Sequence, residues 1–250
     1  MEAFDEESDL ILYDLDNNSV SIIENDADEM ECHPNWTPDG KTLYYVSAYI
    51  GDPDQFMSRG GAAFNNNEVK YSLYYRRFNP DNKEWGKETL VYDAAALDSS
   101  ITWPRVSPDG TKLLACIASH GVFPPYQSEA DLIMFDLTNG THRYLDEVNS
   151  DLAESYHSWN STGKWIVFST RREDGMYTRL YLSCVDDKGN ATKPFLLPQR
   201  NPWKFYHDLF DAYNVPDFTK TKVEFDVHEA HNQLWNGERE KVGMKANIGH

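Results

Sequence analysis

The sequence predicts an all-β protein, a β-propeller of four-stranded antiparallel blades, on two observations. One is a phrase written three times, as Pro34-Asn35-Trp36-Thr37-Pro38-Asp39-Gly40-Lys41, Pro104-Arg105-Val106-Ser107-Pro108-Asp109-Gly110-Thr111-Lys112 and His157-Ser158-Trp159-Asn160-Ser161-Thr162-Gly163-Lys164. The other is the apolar run after each copy: Leu43-Tyr44-Tyr45-Val46, Leu113-Leu114-Ala115-Cys116-Ile117 and Trp165-Ile166-Val167-Phe168. Proline presets the first corner of a tight turn, Asp bonds its own backbone, and Gly accepts positive φ. A strand, a turn and a second strand at a long period describe repeated sheets around an axis, whose radial packing protects most strand edges. A β-sandwich is the alternative, but it gives no reason for one turn phrase to recur at matching positions.

The phrases lie 70 residues apart (Gly40 to Gly110) and then 53 (Gly110 to Gly163). A compact blade takes roughly 40–45 residues, so the excess is loop. Residues 9–24 read as half a blade, with strands at 10–14 and 20–23 joined by Asp16-Asn17-Asn18. The first full blade, 33–95, has strands at 33–36, 42–49, 71–78 and 88–92. The second, 103–147, has them at 103–107, 112–118, 131–136 and 141–145, with the hairpin dipeptide Asn139-Gly140 between the last two. The third, 156–198, has them at 156–159, 165–169, 179–185 and 193–197. No sustained 3.6-residue apolar period occurs before residue 200, so almost no helix is expected there. In the tail, 201–250, the aromatics of 203–213 predict a short amphipathic helix. The polar residues from about 229 onward are expected to fray.

About three and a half blades fall short of a ring of roughly 4–8. The expectation is a partial propeller over 1–200 whose N-terminal blades are missing from this sequence; closure by a second copy is the alternative. Acidic residues outnumber basic ones 41 to 23, for a net charge of −18. That charge disfavours binding to nucleic acid and to anionic membrane surfaces. A solubilising surface explains it most simply; a cationic partner or Ca²⁺ is the other reading. Three cysteines, Cys32, Cys116 and Cys184, lie in or beside the expected strands and read as free thiols. No export signal and no apolar run of membrane-spanning length is visible, so membrane insertion by this chain is not expected.

Most catalytic signatures are missing. There is no Gly-x-Ser-x-Gly elbow, no Walker A loop and no Rossmann glycine pattern. His228 and His231 are three residues apart, not the four a zinc-binding helix needs, and Cys32-His33 lacks the cysteine at position 29 that haem attachment requires. No catalytic residue, metal ligand or cofactor is therefore assigned. Connectivity does point somewhere. If the first strand of each blade lines the channel, the long loops 50–70, 119–130 and 170–178 share one face, opposite the glycine turns. That face receives His120, Tyr156, His157, Arg171 and Arg172, which together form the candidate ligand-binding group. Arginine suits bidentate contact with carboxylates, and function tends to sit on long loops over a rigid scaffold. A structural role competes at each position: His157 could knit blades, and the arginines could pair with Glu173, Asp174 or a neighbouring blade's acid.

The repeat phrases resemble those of TolB-like propellers. The stretches Glu154-Ser155-Tyr156-His157-Ser158-Trp159, Trp165 through Gly175, Tyr177-Thr178-Arg179-Leu180-Tyr181 and Lys193-Pro194-Phe195-Leu196-Leu197-Pro198-Gln199 look like the C-terminal blades of TolB-like proteins of Bacteroidetes. The resemblance covers most of residues 9–225; it departs at the third phrase, where Asn160-Ser161-Thr162-Gly163 stands for Ser-Pro-Asp-Gly. It implies a non-catalytic binding module for a protein, peptide or glycan partner in a periplasmic or envelope-associated protein. It supplies no catalytic residue to carry over. The alternative function is an enzyme or enzyme-associated propeller, a hydrolase or lyase with a channel site around His157 and Arg171.

Overall fold

A computed structural model describes residues 7–23, 28–239 and 241–245. Three blades follow one another along the chain. The first has β3 (Glu29–Trp36), β4 (Thr42–Tyr49) and β5 (Ser72–Asn79) in order, with β7 (Thr89–Tyr92) on β5 and the short β6 (Glu84–Trp85) at its end. The second is β8 (Ser100–Val106), β9 (Lys112–Ala118), β10 (Asp131–Asp136) and β11 (Thr141–Tyr144). The third is β12 (Glu154–Trp159), β13 (Trp165–Thr170), β14 (Arg179–Cys184) and β15 (Phe195–Leu196). All pairings within blades are antiparallel. Ahead of them β1 (Ile11–Asp14) and β2 (Ser19–Ile22) make the half blade.

The apolar runs are continuous because each blade is buried on both faces. Strand β9 shows this directly. Leu113, Ala115 and Ile117 pack with Val46, Ala48 and Leu73 of the first blade. Leu114 and Cys116, pointing the other way, pack with Ile166 and Phe168 of the third. Leu10 and Ile23 close the half blade onto Leu43 and Tyr45 in the same manner. The cores therefore lie between blades.

The turn phrase works as a hydrogen-bonded unit. Asp39 Oδ1 accepts from the Thr37 hydroxyl at 2.6 Å and the Lys41 N–H at 3.1 Å. Asp109 Oδ1 accepts from Ser107 at 2.6 Å and from the Thr111 N–H at 3.0 Å. In the third copy Asn160 does this work, its Oδ1 accepting from the N–H groups of Lys164 and Trp165 at 3.1 Å each. Gly110 and Gly163 adopt φ of +72° and +69°, and a Cβ on either would sit 3.7 or 3.6 Å from the proline of the preceding blade's turn, Pro38 or Pro108. The turns thus adjoin one another at one end of the blades.

Three expectations need correction. The first long loop contains two helices, α1 (Pro53–Ser58) and α2 (Gly61–Asn65), too short to show a period; Asp52 caps α1 by accepting from the Gln55 N–H at 3.1 Å, with Pro53 in its first turn. The helix expected over 203–213 is only α3 (Pro202–His207). Beyond it the chain straps the third blade: the Tyr213 N–H donates to Thr178 O at 3.1 Å, and Ser169 Oγ donates to Asn214 O at 2.7 Å. Finally, the region expected to fray forms α4 (Val227–Asn236), capped by Asp226, and β16 (Gly243–Lys245), which pairs parallel with β2. The Asp226 cap starts the helix, and backbone pairing, needing no apolar side chain, places β16. Residues 246–250 lie outside the described residues.

Among the described residues no helix is long and apolar enough to cross a membrane. The three cysteines are free, Cys116 buried and the other two half-buried.

Candidate ligand-binding site

The innermost strand of every blade carries an irregularity at the same place. Pairing of β3 with β4 shifts between Cys32 and Asn35, of β8 with β9 between Thr102 and Arg105, and of β12 with β13 between Ser155 and His157. The residue left over has positive φ in each case: His33 at 52°, Trp103 at 53° and Tyr156 at 24°. For residues other than Gly this conformation costs roughly 1–2 kcal/mol. A bulge re-aims a side chain, and here it brings three rings into line. His33 and Trp103 have centroids 4.4 Å apart, and Trp103 meets Tyr156 edge-on at 4.7 Å. The Trp103 N–H also donates to His33 Nδ1 at 3.3 Å, leaving the imidazole proton on Nε2.

The sequence-predicted residues divide into two groups. His157 is completely buried: its Nε2–H donates to Leu114 O at 2.9 Å, and Nδ1 faces Cys116 Sγ at 3.6 Å. It ties the third blade to β9 of the second and presents nothing to a ligand. Burial pulls its pKa down to about 3 and pushes the Cys116 thiol up, so this pair is held neutral and is not a thiolate–imidazolium nucleophile. Arg172 is likewise spoken for. It pairs with the buried Glu154 at 2.8 Å, donates to Val148 O, and lies 4.8 Å from the Tyr181 ring centroid.

Tyr156, Arg171 and His120 have a different character. Tyr156 is 9% exposed, and burial, followed by the neighbouring Tyr126 and Cys116, raises its pKa to about 12. Arg171 lies over the ring of Tyr126, 5.7 Å from its centroid, and Tyr126 is itself 53% exposed. His120 belongs to the same 119–130 loop: its Nδ1 is 2.8 Å from Ser119 Oγ, which lies 2.6 Å from Glu129 Oε1. Gln127 Oε1 also lies 3.0 Å from that hydroxyl, so Ser119, with a single proton to donate, is held by bonds within its own loop. The long-loop face thus gathers Tyr156, Arg171 and the His120 loop, while His157 and Arg172 turn into the packing.

Two arginines stand out by what they lack. Among the described residues Arg76 bonds Tyr45 Oη at 3.0 Å, Arg172 pairs with Glu154, and Arg179 donates to the carbonyls of Leu209 and Asp211. Arg105 and Arg171, both half-buried, have neither a counter-ion nor a side-chain hydrogen bond among the described residues; each faces a ring, Arg105 at 5.7 Å from Trp103. The buried side-chain N–H groups without an acceptor among the described residues are Trp103 Nε1 and Arg171 Nε. Burial first, then Arg105, lowers the His33 pKa to about 4, so the imidazole beside Trp103 is neutral near pH 7.

Sequence reasoning missed His33, Trp103 and Arg105; Tyr126 it placed on the long-loop face without assigning it to the binding group. A signal for the first two was present: 33, 103 and 156 repeat at the same intervals of 70 and 53 as the turn glycines.

No protein-family model matches the chain, and no curated protein matches it. Solved structures do. The β-propeller domain of the Trilobed protease from Pyrococcus furiosus aligns at 15% identity over 71% of this chain and 46% of that one, with a TM-score of 0.38. A putative TolB from Agrobacterium tumefaciens aligns at 18% over 75% and 68%, TM-score 0.36. An oligogalacturonate lyase in complex with manganese aligns at 16% over 73% and 42%, TM-score 0.43. The chain spans less than half the length of the protease domain and of the lyase. At these identities the likeness concerns the fold alone.

Proposed function

We propose that this chain is a non-catalytic ligand-binding propeller module that holds a carboxylate-bearing protein, peptide or glycan partner on its long-loop face, in the bacterial cell envelope. One observation carries the reading: Arg171, a half-buried guanidinium that among the described residues has no counter-ion and whose buried Nε has no acceptor, seated over the exposed ring of Tyr126. A chain of net charge −18 has acids in abundance, yet among the described residues none pairs with this arginine. Leaving a buried donor unpaired costs roughly 1–3 kcal/mol, and a bound carboxylate relieves that cost with a bidentate contact. The TolB-like repeat phrases support the envelope setting. The enzyme reading loses its central residue, because His157 is buried, neutral and committed to Leu114.

The test is calorimetric titration with the peptide acetyl-Gln-Phe-Glu-amide against its neutral counterpart acetyl-Gln-Phe-Gln-amide. Arg171→Met should weaken the first about tenfold, leave the second alone, and leave the melting temperature within a degree or two of the parent; charge-assisted hydrogen bonds carry energies of that order. Equal affinity for both peptides in parent and variant would refute the proposal.

A further inference from the structure

The three bulged residues and the two uncommitted arginines are not separate features. Trp103 touches Tyr156 at 4.7 Å, the turn Pro124–Tyr126 packs on β12, which carries Tyr156, and the arginines cap the two ends, Arg105 over Trp103 and Arg171 over Tyr126. His33 extends the ring series on the first blade at 4.4 Å. Strained backbone persists only where its surroundings hold it, and it clusters where a ligand is gripped. Here the strain recurs at one register position in three successive blades, and its effect each time is to turn a ring into the same strip. The buried donors lacking acceptors, Trp103 Nε1 and Arg171 Nε, both fall on that strip. Aromatic faces flanked by cations at either end are complementary to a ligand with two anionic groups and a flat apolar group between them.

We propose that the strip Arg105–Trp103–Tyr156–Tyr126–Arg171 is a single two-clamp site for an extended peptide segment carrying an aromatic side chain between two carboxylates. This deepens the function proposed above and rests on it: Arg171 takes one carboxylate, Arg105 takes the second, and Trp103 and Tyr156 receive the aromatic ring. The strip crosses two blades along their inner strands, the shape an extended backbone offers. The neutral His33 leaves Arg105 as the cation at its end. Arg105 is here a ligand-binding residue: its main chain serves the fold, pairing opposite Leu114 of β9 and accepting from Trp159 Nε1 at 3.0 Å, while its guanidinium has no hydrogen bond or counter-ion among the described residues.

The experiment compares acetyl-Glu-Phe-Glu-amide with acetyl-Gln-Phe-Glu-amide and acetyl-Glu-Ala-Glu-amide by calorimetric titration of the full chain. The first should bind at least tenfold more tightly than either of the others. Arg105→Met should bring it down to the level of the single-carboxylate peptide without changing the affinity for the latter, and Arg105→Gln should do the same if the methionine variant melts early. Trp103→Phe should reduce the aromatic peptide's advantage and remove part of the ligand-induced change in tryptophan fluorescence. If both glutamate peptides bind alike and Arg105→Met changes neither, while Arg171→Met still weakens them, the two-clamp site is overturned and the simpler binding function stands. If Arg171→Met also has no effect, the binding function itself fails. Arginine-dependent binding of a diuronic acid disaccharide, with no response to any of the peptides, would overturn the peptide assignment.

Discussion

At the scale of single residues, the interior of this chain is shaped by side chains that burial keeps uncharged. Glu31 in β3 is 2% exposed, and its Oε2 has no partner among the described residues. Burial lifts its pKa to about 7, only partly opposed by the Leu10 N–H and by Arg76. The native state therefore keeps a proton that the unfolded chain releases near pH 4.5, and binds more protons than the unfolded state between those values. Stability is full below pH 4.5 and falls as pH rises toward 7. Glu31→Gln keeps an acceptor for the Leu10 N–H and removes the charge. It should gain on the order of 2–3 kcal/mol at pH 8 and almost nothing at pH 4, at roughly 1.4 kcal/mol per pH unit across the window. Denaturant unfolding at the two pH values measures both figures, and equal effects at each would show that burial does not govern this carboxyl.

At the scale of elements, Arg172 fastens three pieces of chain. It holds the carboxylate of Glu154 in β12, the carbonyl of Val148 in the preceding loop and the Thr170 hydroxyl at the end of β13. Glu154 is fully buried and also accepts from Ser150 and Thr170 at 2.7 and 2.8 Å. Removing one partner of such a pair strands the other charge, which costs about 3–5 kcal/mol. Arg172→Met should lower unfolding free energy by that amount and leave peptide binding by the remaining folded protein unchanged, the reverse of Arg171→Met. A stable Arg172→Met protein would mean that the pair contributes little. The contrast marks where sequence reading ends. The turn phrases announced the hairpins, because glycine, proline and Asp act through their own backbone. Which of two adjacent arginines turns inward depends on Glu154, 17 and 18 residues away, and no local pattern encodes that. The same limit applies to His157. It occupies the place that Pro34 and Pro104 hold in the other repeats, and its commitment to Leu114 becomes visible only when β9 lies beside it.

At the scale of the whole molecule, the half blade presents an open sheet margin with apolar side chains beside it. In the half blade β2 is covered by β16 on its outer side, but among the described residues no strand pairs with the far edge of β1. Ile11 and Tyr13 on β1 are 62% and 47% exposed, and Leu15 just beyond is 81% exposed. An uncovered edge with apolar neighbours is a template for another strand. Opposing this is the net charge of −18, a long-range repulsion between copies that salt screens over about 8 Å at physiological ionic strength. Light scattering should therefore show association that grows with protein concentration and grows again as salt is raised from low to physiological levels. Replacing Ile11 and Tyr13 together by Lys should suppress it. That double change makes the chain less negative and so weakens the repulsion; a fall in association can then come only from blocking the edge. A parent that stays monomeric at every concentration and salt level, or a double variant that associates as the parent does, would rule out β1 as the contact.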